Sequence, residues 1–305
     1  MTTEPTSASF TPTSSLIDVG DGRVSEVFQY ATGSDSLHLA YWHGTPGAGL
    51  VPSSVLAAAA DHDLPVIALS RAGYGGSTRR AGRSVADAAT DLGRVLEALE
   101  VDNVVVAGWS GGGAHTLASA ALLPGRVRAA AVIAGTAPVS ALGAAWTEGM
   151  GEANIEEFAL AQFDERGLWD FCERDAAALV QATGLEIVEA MASLLSPADV
   201  SAFTPEVGDE LIAMMRDGLR GSVDGWVDDD FALLREWGFD LGYIDVPVSV
   251  WFGDADLMVP PTHGQWLADN VSGARVHHEP EEGHVSLLVG RADAIVADLL
   301  DMARS

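Results

Sequence analysis

Short apolar runs bounded by glycine, proline or aspartate alternate along this chain with segments whose apolar positions recur every three to four residues. The runs predict strands at 24–30 and 37–42, a pair joined by the turn Gly33-Ser34-Asp35, and at 65–70, 104–106, 127–134, 246–252 and 274–278. Between them the helical period predicts a small alanine-rich helix at 55–62 and helices at 262–269 and 285–303. Ser84 is placed to cap a helix running to Leu99, with Val85, Ala88, Leu92, Val95, Leu96 and Leu99 on one face. A further helix follows residue 110 and ends at Leu122, where Pro124-Gly125 stops it.

Apolar strands alternating with helices predict an α/β fold, a mostly parallel sheet covered on both faces. From 139 to 240 the pattern changes to helical periodicity alone, with Trp, Phe, Met and Leu at helical spacing. That stretch reads as a helical cap inserted between two strands, so 15–138 and 241–305 form the core. Residues 1–14, rich in Thr, Ser and Pro, read as a loose tail. Because that tail has neither a basic start nor an apolar run, a cytoplasmic location is the expectation.

Composition narrows the function. With 305 residues, 48% of them hydrophobic, the chain can bury a sizeable core. Its 16 basic residues are all arginine and face 44 acidic ones, a net charge of −28. Nucleic acid and anionic membranes need a positive surface, so neither is an expected partner. The predicted cap is the most lopsided part, with 22 acidic residues against 5 arginines. Cys172 is the only cysteine, which rules out an intrachain disulfide. No histidine and carboxylate spacing suggests a metal site, so no cofactor is expected.

Four segments carry chemistry at predicted strand ends. In Gly108-Trp109-Ser110-Gly111-Gly112 a serine sits between glycines where a strand turns into a helix. Such a turn is too sharp for flanking side chains, and it lifts the serine hydroxyl clear of the sheet as a nucleophile. The loop His43-Gly44-Thr45-Pro46-Gly47 can free backbone N–H groups, and the amides of Thr45 and Gly111 form the natural oxyanion pair, since Pro46 has none. In Gly253-Asp254-Ala255-Asp256 two carboxylates compete to orient a histidine; Asp256 is preferred for its place in a G-x-x-D-x-x-V-P pattern. His284 follows the last strand and is the expected proton carrier. Trp109 and His43 are the candidate substrate contacts, although His43 reads chiefly as a brace for its loop. His115 reads as packed, and His277 and His278 as solvated.

The motifs HGTPG, SRAGYGGS at 70–77, GWSGGG, GDADLMVP and EGH resemble those of the α/β-hydrolase fold superfamily over residues 15–305. The resemblance implies a mostly parallel eight-stranded sheet, a helical lid at 139–240, a Ser110–Asp256–His284 triad and an oxyanion hole at Thr45 and Gly111. Ser110 stands where haloalkane dehalogenases and epoxide hydrolases of this fold carry aspartate, which argues against those activities. Ser70 stands where many relatives have an acidic residue, so its loop is expected only to pack.

The expected function is a serine hydrolase that cleaves an ester or related acyl bond of a small, fairly apolar molecule. An aminopeptidase resembling proline iminopeptidases is the alternative, its acidic cap gripping a free ammonium group. A non-catalytic binding protein on the same fold is the competing class. Nothing in the sequence assigns an oligomeric state.

Overall fold

The computed structural model describes residues 10–33, 36–184 and 186–305. The chain opens with strands β1 (Thr13–Gly20), β2 (Arg23–Tyr30) and β3 (Leu37–Trp42), then helix α1 (Ser53–Asp61) and β4 (Val66–Leu69). Next come α2 (Val85–Ala98), β5 (Asn103–Trp109), α3 (Gly112–Leu122) and β6 (Val127–Ile133). After β6 the chain is helical, through α4 (Val139–Leu142), α5 (Glu152–Phe163), α6 (Glu165–Leu179), α7 (Glu186–Ala190), α8 (Pro197–Ala202), α9 (Pro205–Gly218) and α10 (Asp224–Leu234). It closes with β7 (Val248–Gly253), α11 (Pro261–Asn270), β8 (Arg275–Glu279) and α12 (His284–Arg304).

Eight strands form one sheet in the order β1-β2-β4-β3-β5-β6-β7-β8 among the described residues. From β4 to β8 every neighbouring pair is parallel; only β1–β2 and β2–β4 are antiparallel. β5 lies mid-sheet, and its side chains divide by the period of two. Val104 and Val106 join the core under α2, α3 and α11, while Val105 and Ala107 join the core under α1 and α12. Both faces of the strand are dry, which is why it reads as a continuous apolar run.

Two expectations need correction. The strands at 24–30 and 37–42 do not pair with each other. β2 instead closes a hairpin with β1 across Gly20, Asp21 and Gly22, all at positive φ, and β4 slots between β2 and β3. The α1 crossover that returns the chain beside β3 makes that insertion possible. Ser34 and Asp35 of the proposed turn lie outside the described residues. The loose tail also ends sooner than expected, because Thr13 and Ser14 already belong to β1. That strand is largely exposed, so it lacks the apolar signature of the others.

Local signals account for the helix ends. Asp87 accepts hydrogen bonds from the Ser84 amide at 2.8 Å and the Ser84 hydroxyl at 3.1 Å, which closes the start of α2. Packing is tight where α3 leaves β5. A methyl on Gly112 would run into the carbonyl oxygen of Trp42 on β3, and one on Gly108 into the Gly112 carbonyl oxygen and the Thr116 hydroxyl. Backbone cannot yield there, so Gly112→Ala should cost about 1–3 kcal/mol and lower Tm by several degrees. Gly221→Ala, whose added methyl meets only Gly75 O at 3.9 Å, should leave Tm unchanged.

Candidate active site

The elbow is strained in the expected place. Ser110 sits between β5 and α3 at φ 58°, a left-handed conformation that a side-chain-bearing residue adopts at a cost of about 1–2 kcal/mol. Its amide donates to Ile133 O on β6 at 2.9 Å, and its carbonyl accepts from Gly113 N at 2.9 Å, so the sheet and the helix hold it from both sides.

His284 opens α12. Its Nδ1–H donates to Asp256 Oδ2 at 2.7 Å, and both side chains are buried. Asp256 Oδ1 accepts the amides of Met258 and Val259, each at 2.8 Å, which fixes the carboxylate. Asp254 turns elsewhere: half-exposed, it lies 2.7 Å from His278 Nε2. The competition between the two aspartates is thus resolved by geometry. With Nδ1 protonated toward Asp256, Nε2 of His284 presents a lone pair. That atom is buried and has no hydrogen-bond partner among the described residues.

Trp109, the residue before the elbow serine, holds the histidine beside it. The indole N–H donates to His284 O at 3.1 Å, and the two rings lie 5.0 Å apart. Trp109 therefore supports the histidine rather than lining the cavity described below.

Three features were not legible in the sequence. The first is Asp199 on α8. Fully buried, it accepts the amides of Val285 at 2.7 Å and Ser286 at 3.0 Å, so a carboxylate from the helical insertion closes the first turn of the helix that begins with His284. The S-P-A-D text at 196–199 signals a capped helix start, but not this second contact.

The second is Asp229 on α10, also fully buried. It receives Arg71 at 2.5 Å, Arg83 at 2.5 Å, the Tyr74 hydroxyl at 2.8 Å and the Thr45 hydroxyl at 2.8 Å. Burial alone would raise this carboxyl's pKa; Arg71 and Arg83 outweigh it and hold the group well below its usual range. Arg71 also donates to Gly44 O at 2.9 Å, to Thr45 Oγ1 at 3.0 Å and to His43 O. The SRAGYGGS loop thus shapes the loop at 43–47, where only packing was expected.

His43 is fully buried, donates from Nδ1 to Gly44 O at 2.7 Å and accepts the Arg71 amide at 3.1 Å. Burial, with Arg71 beside it, keeps its pKa far below the usual value, so it is a neutral brace and not a substrate contact. Thr45 and Gly111 meet: a Cβ on Gly111 would strike Thr45 Oγ1 and lie 3.7 Å from Thr45 N. The two amides expected as oxyanion donors are therefore on touching segments. His115 packs behind them, with Nδ1 2.8 Å from Gly111 O; burial drives its pKa down to about 3. His277, read as solvated, instead stacks on Trp251 at 3.6 Å and lies 3.2 Å from Asp298, whereas His278 is exposed as expected.

Ser110, Thr45 and Gly111 open on a cavity of about 320 Å³, a size suited to a small ligand. Phe158, Phe171, Met191, Met215 and Trp226 from the helical insertion roof it, whereas Trp146, Phe163, Trp169 and Met214 do not reach it. The third feature is in this roof. Glu157 on α5 and Asp230 on α10 are buried, and both line the cavity. Burial pushes Glu157 up to about 7 and Asp230 well above its ordinary value. Among the described residues, no group of three or more His, Cys, Asp or Glu side chains is arranged to hold a metal ion. No helix there is long and apolar enough to cross a membrane.

Two stability measurements follow. Asp229→Asn leaves Arg71 and Arg83 short of a buried counter-charge and should cost about 3–5 kcal/mol in denaturant unfolding. Glu157 has its folded pKa raised, so the stability it contributes is full below its ordinary carboxyl range and is lost as pH climbs through about 7. Glu157→Gln should therefore stabilise the protein by on the order of 2 kcal/mol at pH 8 and leave stability unchanged at pH 4.

Comparison with known proteins places this geometry. A family model described as the alpha/beta hydrolase fold matches residues 38–291. No curated protein matches the chain in sequence. A bromoperoxidase from Bacillus anthracis superposes with TM-score 0.71 at 18% identity, covering 96% of this chain and 100% of that one. A hydrolase from Pseudomonas aeruginosa PA01 gives 0.67 at 22% identity, covering 96% and 98%. An esterase from Exiguobacterium antarcticum gives 0.67 at 17%, covering 96% and 100%. At such identities these likenesses concern the fold, but the family match spans most of the chain, and the protein belongs to the alpha/beta hydrolase fold family.

Proposed function

We propose that the protein is a serine hydrolase that cleaves an ester or related acyl bond of a small, largely apolar molecule. The observation that carries the reading is His284. Its Nδ1 is tied to Asp256 at 2.7 Å and its Nε2 is buried without a hydrogen-bond partner among the described residues, while Trp109 on its ring is followed directly by a serine strained at φ 58° that lines an apolar cavity.

The steps follow from the groups. His284 Nε2 takes the Ser110 proton as Oγ attacks the carbonyl carbon. Asp256 stabilises the imidazolium, and its two backbone donors keep it oriented. The Thr45 and Gly111 amides hold the oxyanion. The imidazolium then protonates the leaving alcohol, and water, deprotonated by the same nitrogen, releases the acyl group from Ser110. The helical insertion at 139–240 serves as the cap that selects the substrate, since it supplies most of the cavity roof. Family membership and the likeness to an esterase support the reading.

Kinetics with short-chain p-nitrophenyl esters test it. Ser110→Ala should lower kcat by at least about 10⁴-fold, and Asp256→Asn by about 10⁴-fold, each with the Tm of the parent protein within a few degrees. Ester hydrolysis at the parental rate by purified Ser110→Ala protein would overturn the proposal.

A further inference from the structure

Glu157 and Asp230 are not needed by the hydrolytic steps above, yet they occupy a costly place. Asp230 is fully buried, lines the cavity, and neither of its carboxylate oxygens has a hydrogen-bond donor among the described residues. Glu157 lies against it and accepts the Trp226 indole N–H at 2.5 Å. Two carboxylates in contact have only acceptors to offer each other. Only a proton or a cation can bridge them.

The surrounding charges sharpen this. Asp175 on α6 and Asp229 on the same helix as Asp230 act on the pair through charge, and both carboxyls of the pair help raise the pKa of Cys172 on α6. The ion pairs of the nearby cations go to other carboxylates, although Nε and Nη1 of Arg83 are buried without a hydrogen-bond partner among the described residues. Arg83 binds Asp229 at 2.5 Å, Arg71 binds it at 2.5 Å, and Arg174 pairs with Asp175 at 2.8 Å. Arg71 and Arg83 carry two positive charges and Asp229 one negative. A Glu157–Asp230 pair that shares one proton supplies the second negative charge and leaves the buried cluster neutral. The shared proton therefore stands where a ligand's positive charge would be equally well compensated.

We propose that Glu157 and Asp230 form the subsite for a basic amine on the substrate, an alkylammonium group that displaces the shared proton. The walls favour an organic cation over a metal ion. Phe158, Phe171 and Trp226 present aromatic surface, and Leu179, Met191 and Leu194 line the same cavity. Rings attract an ammonium group and apolar side chains cover its hydrocarbon, whereas a metal ion would seek several more oxygens than this roof provides. The substrate class becomes an ester or related acyl compound that carries an amine at the far end of an apolar spacer. This rests on the hydrolase reading only for what happens at Ser110; the subsite itself stands on the roof alone.

The test is calorimetric binding of n-butylammonium to the whole protein, with 1-butanol as the neutral isostere, between pH 6 and pH 8. The expected result is ammonium binding that tightens with pH and releases up to one proton, with 1-butanol at least about tenfold weaker, the scale of a charge-assisted hydrogen bond. Glu157→Gln and Asp230→Asn should each weaken ammonium binding by a similar factor. Equal binding of butanol, pH-independent ammonium binding, or equal competition by K⁺ would overturn the inference. The wild-type comparison does not depend on either variant folding. Ester turnover lost in Ser110→Ala, together with no ammonium binding, sinks the subsite and leaves the hydrolase reading standing. Ammonium binding without any ester turnover does the reverse.

Discussion

The buried carboxylate of Asp229 is the constraint around which the rest of the molecule is arranged. A single negative charge on α10, at zero exposure, would be prohibitive alone. It is tolerable because two arginines, a tyrosine and a threonine converge on it from other segments. Each partner is thereby held in register with the helical insertion. Arg71 carries that register onward into the carbonyls of His43 and Gly44, so the loop that presents Thr45 beside Gly111 takes its shape from a residue more than 180 positions away in sequence. The insertion and the sheet are bound here by paired charge, and separating them would expose an arginine pair or strand an aspartate.

Asp199 repeats the device at the start of α12. Its carboxylate accepts the first amides of α12 and so anchors the helix whose first residue is His284. The insertion thus grips both the loop and the histidine helix. Glu157 and Asp230 face inward from the same insertion without a cation of their own. Of the acidic residues concentrated at 139–240, Asp199 and Asp229 are spent on architecture, and Glu157, Asp175 and Asp230 line the cavity. On the proposed function, reaction chemistry falls to strand ends of the sheet and ligand choice to the roof.

Much of the fold was legible because dry strands and amphipathic helices write their environments into side-chain polarity. β5 reads as Val104, Val105 and Val106 since both of its faces are buried, and α2 announces itself through Ser84 and its apolar face. β1 was not legible, because an exposed edge strand carries no such signature, and the order β2-β4-β3 was not, because pairing depends on crossovers rather than on residues. At the site, strand-end motifs marked Ser110, Asp256 and His284, whose local backbone needs show in neighbouring glycines and prolines. Asp199, Asp229 and Asp230 stayed hidden among 44 acidic residues. What sets them apart is burial against distant partners, and no local spacing reports that. Trp109 supports His284 instead of lining the cavity, since proximity to the elbow in sequence does not say which way a side chain faces.

The central claim is that Ser110 is the group that takes up an acyl chain. The most direct measurement is reaction with a fluorophosphonate probe, followed by peptide mapping of the adduct by mass spectrometry. The account predicts one stoichiometric adduct on the peptide bearing Ser110, formed at a rate that falls steeply in His284→Ala protein. An unmodified Ser110 in folded protein, or labelling that is indifferent to His284, would contradict it.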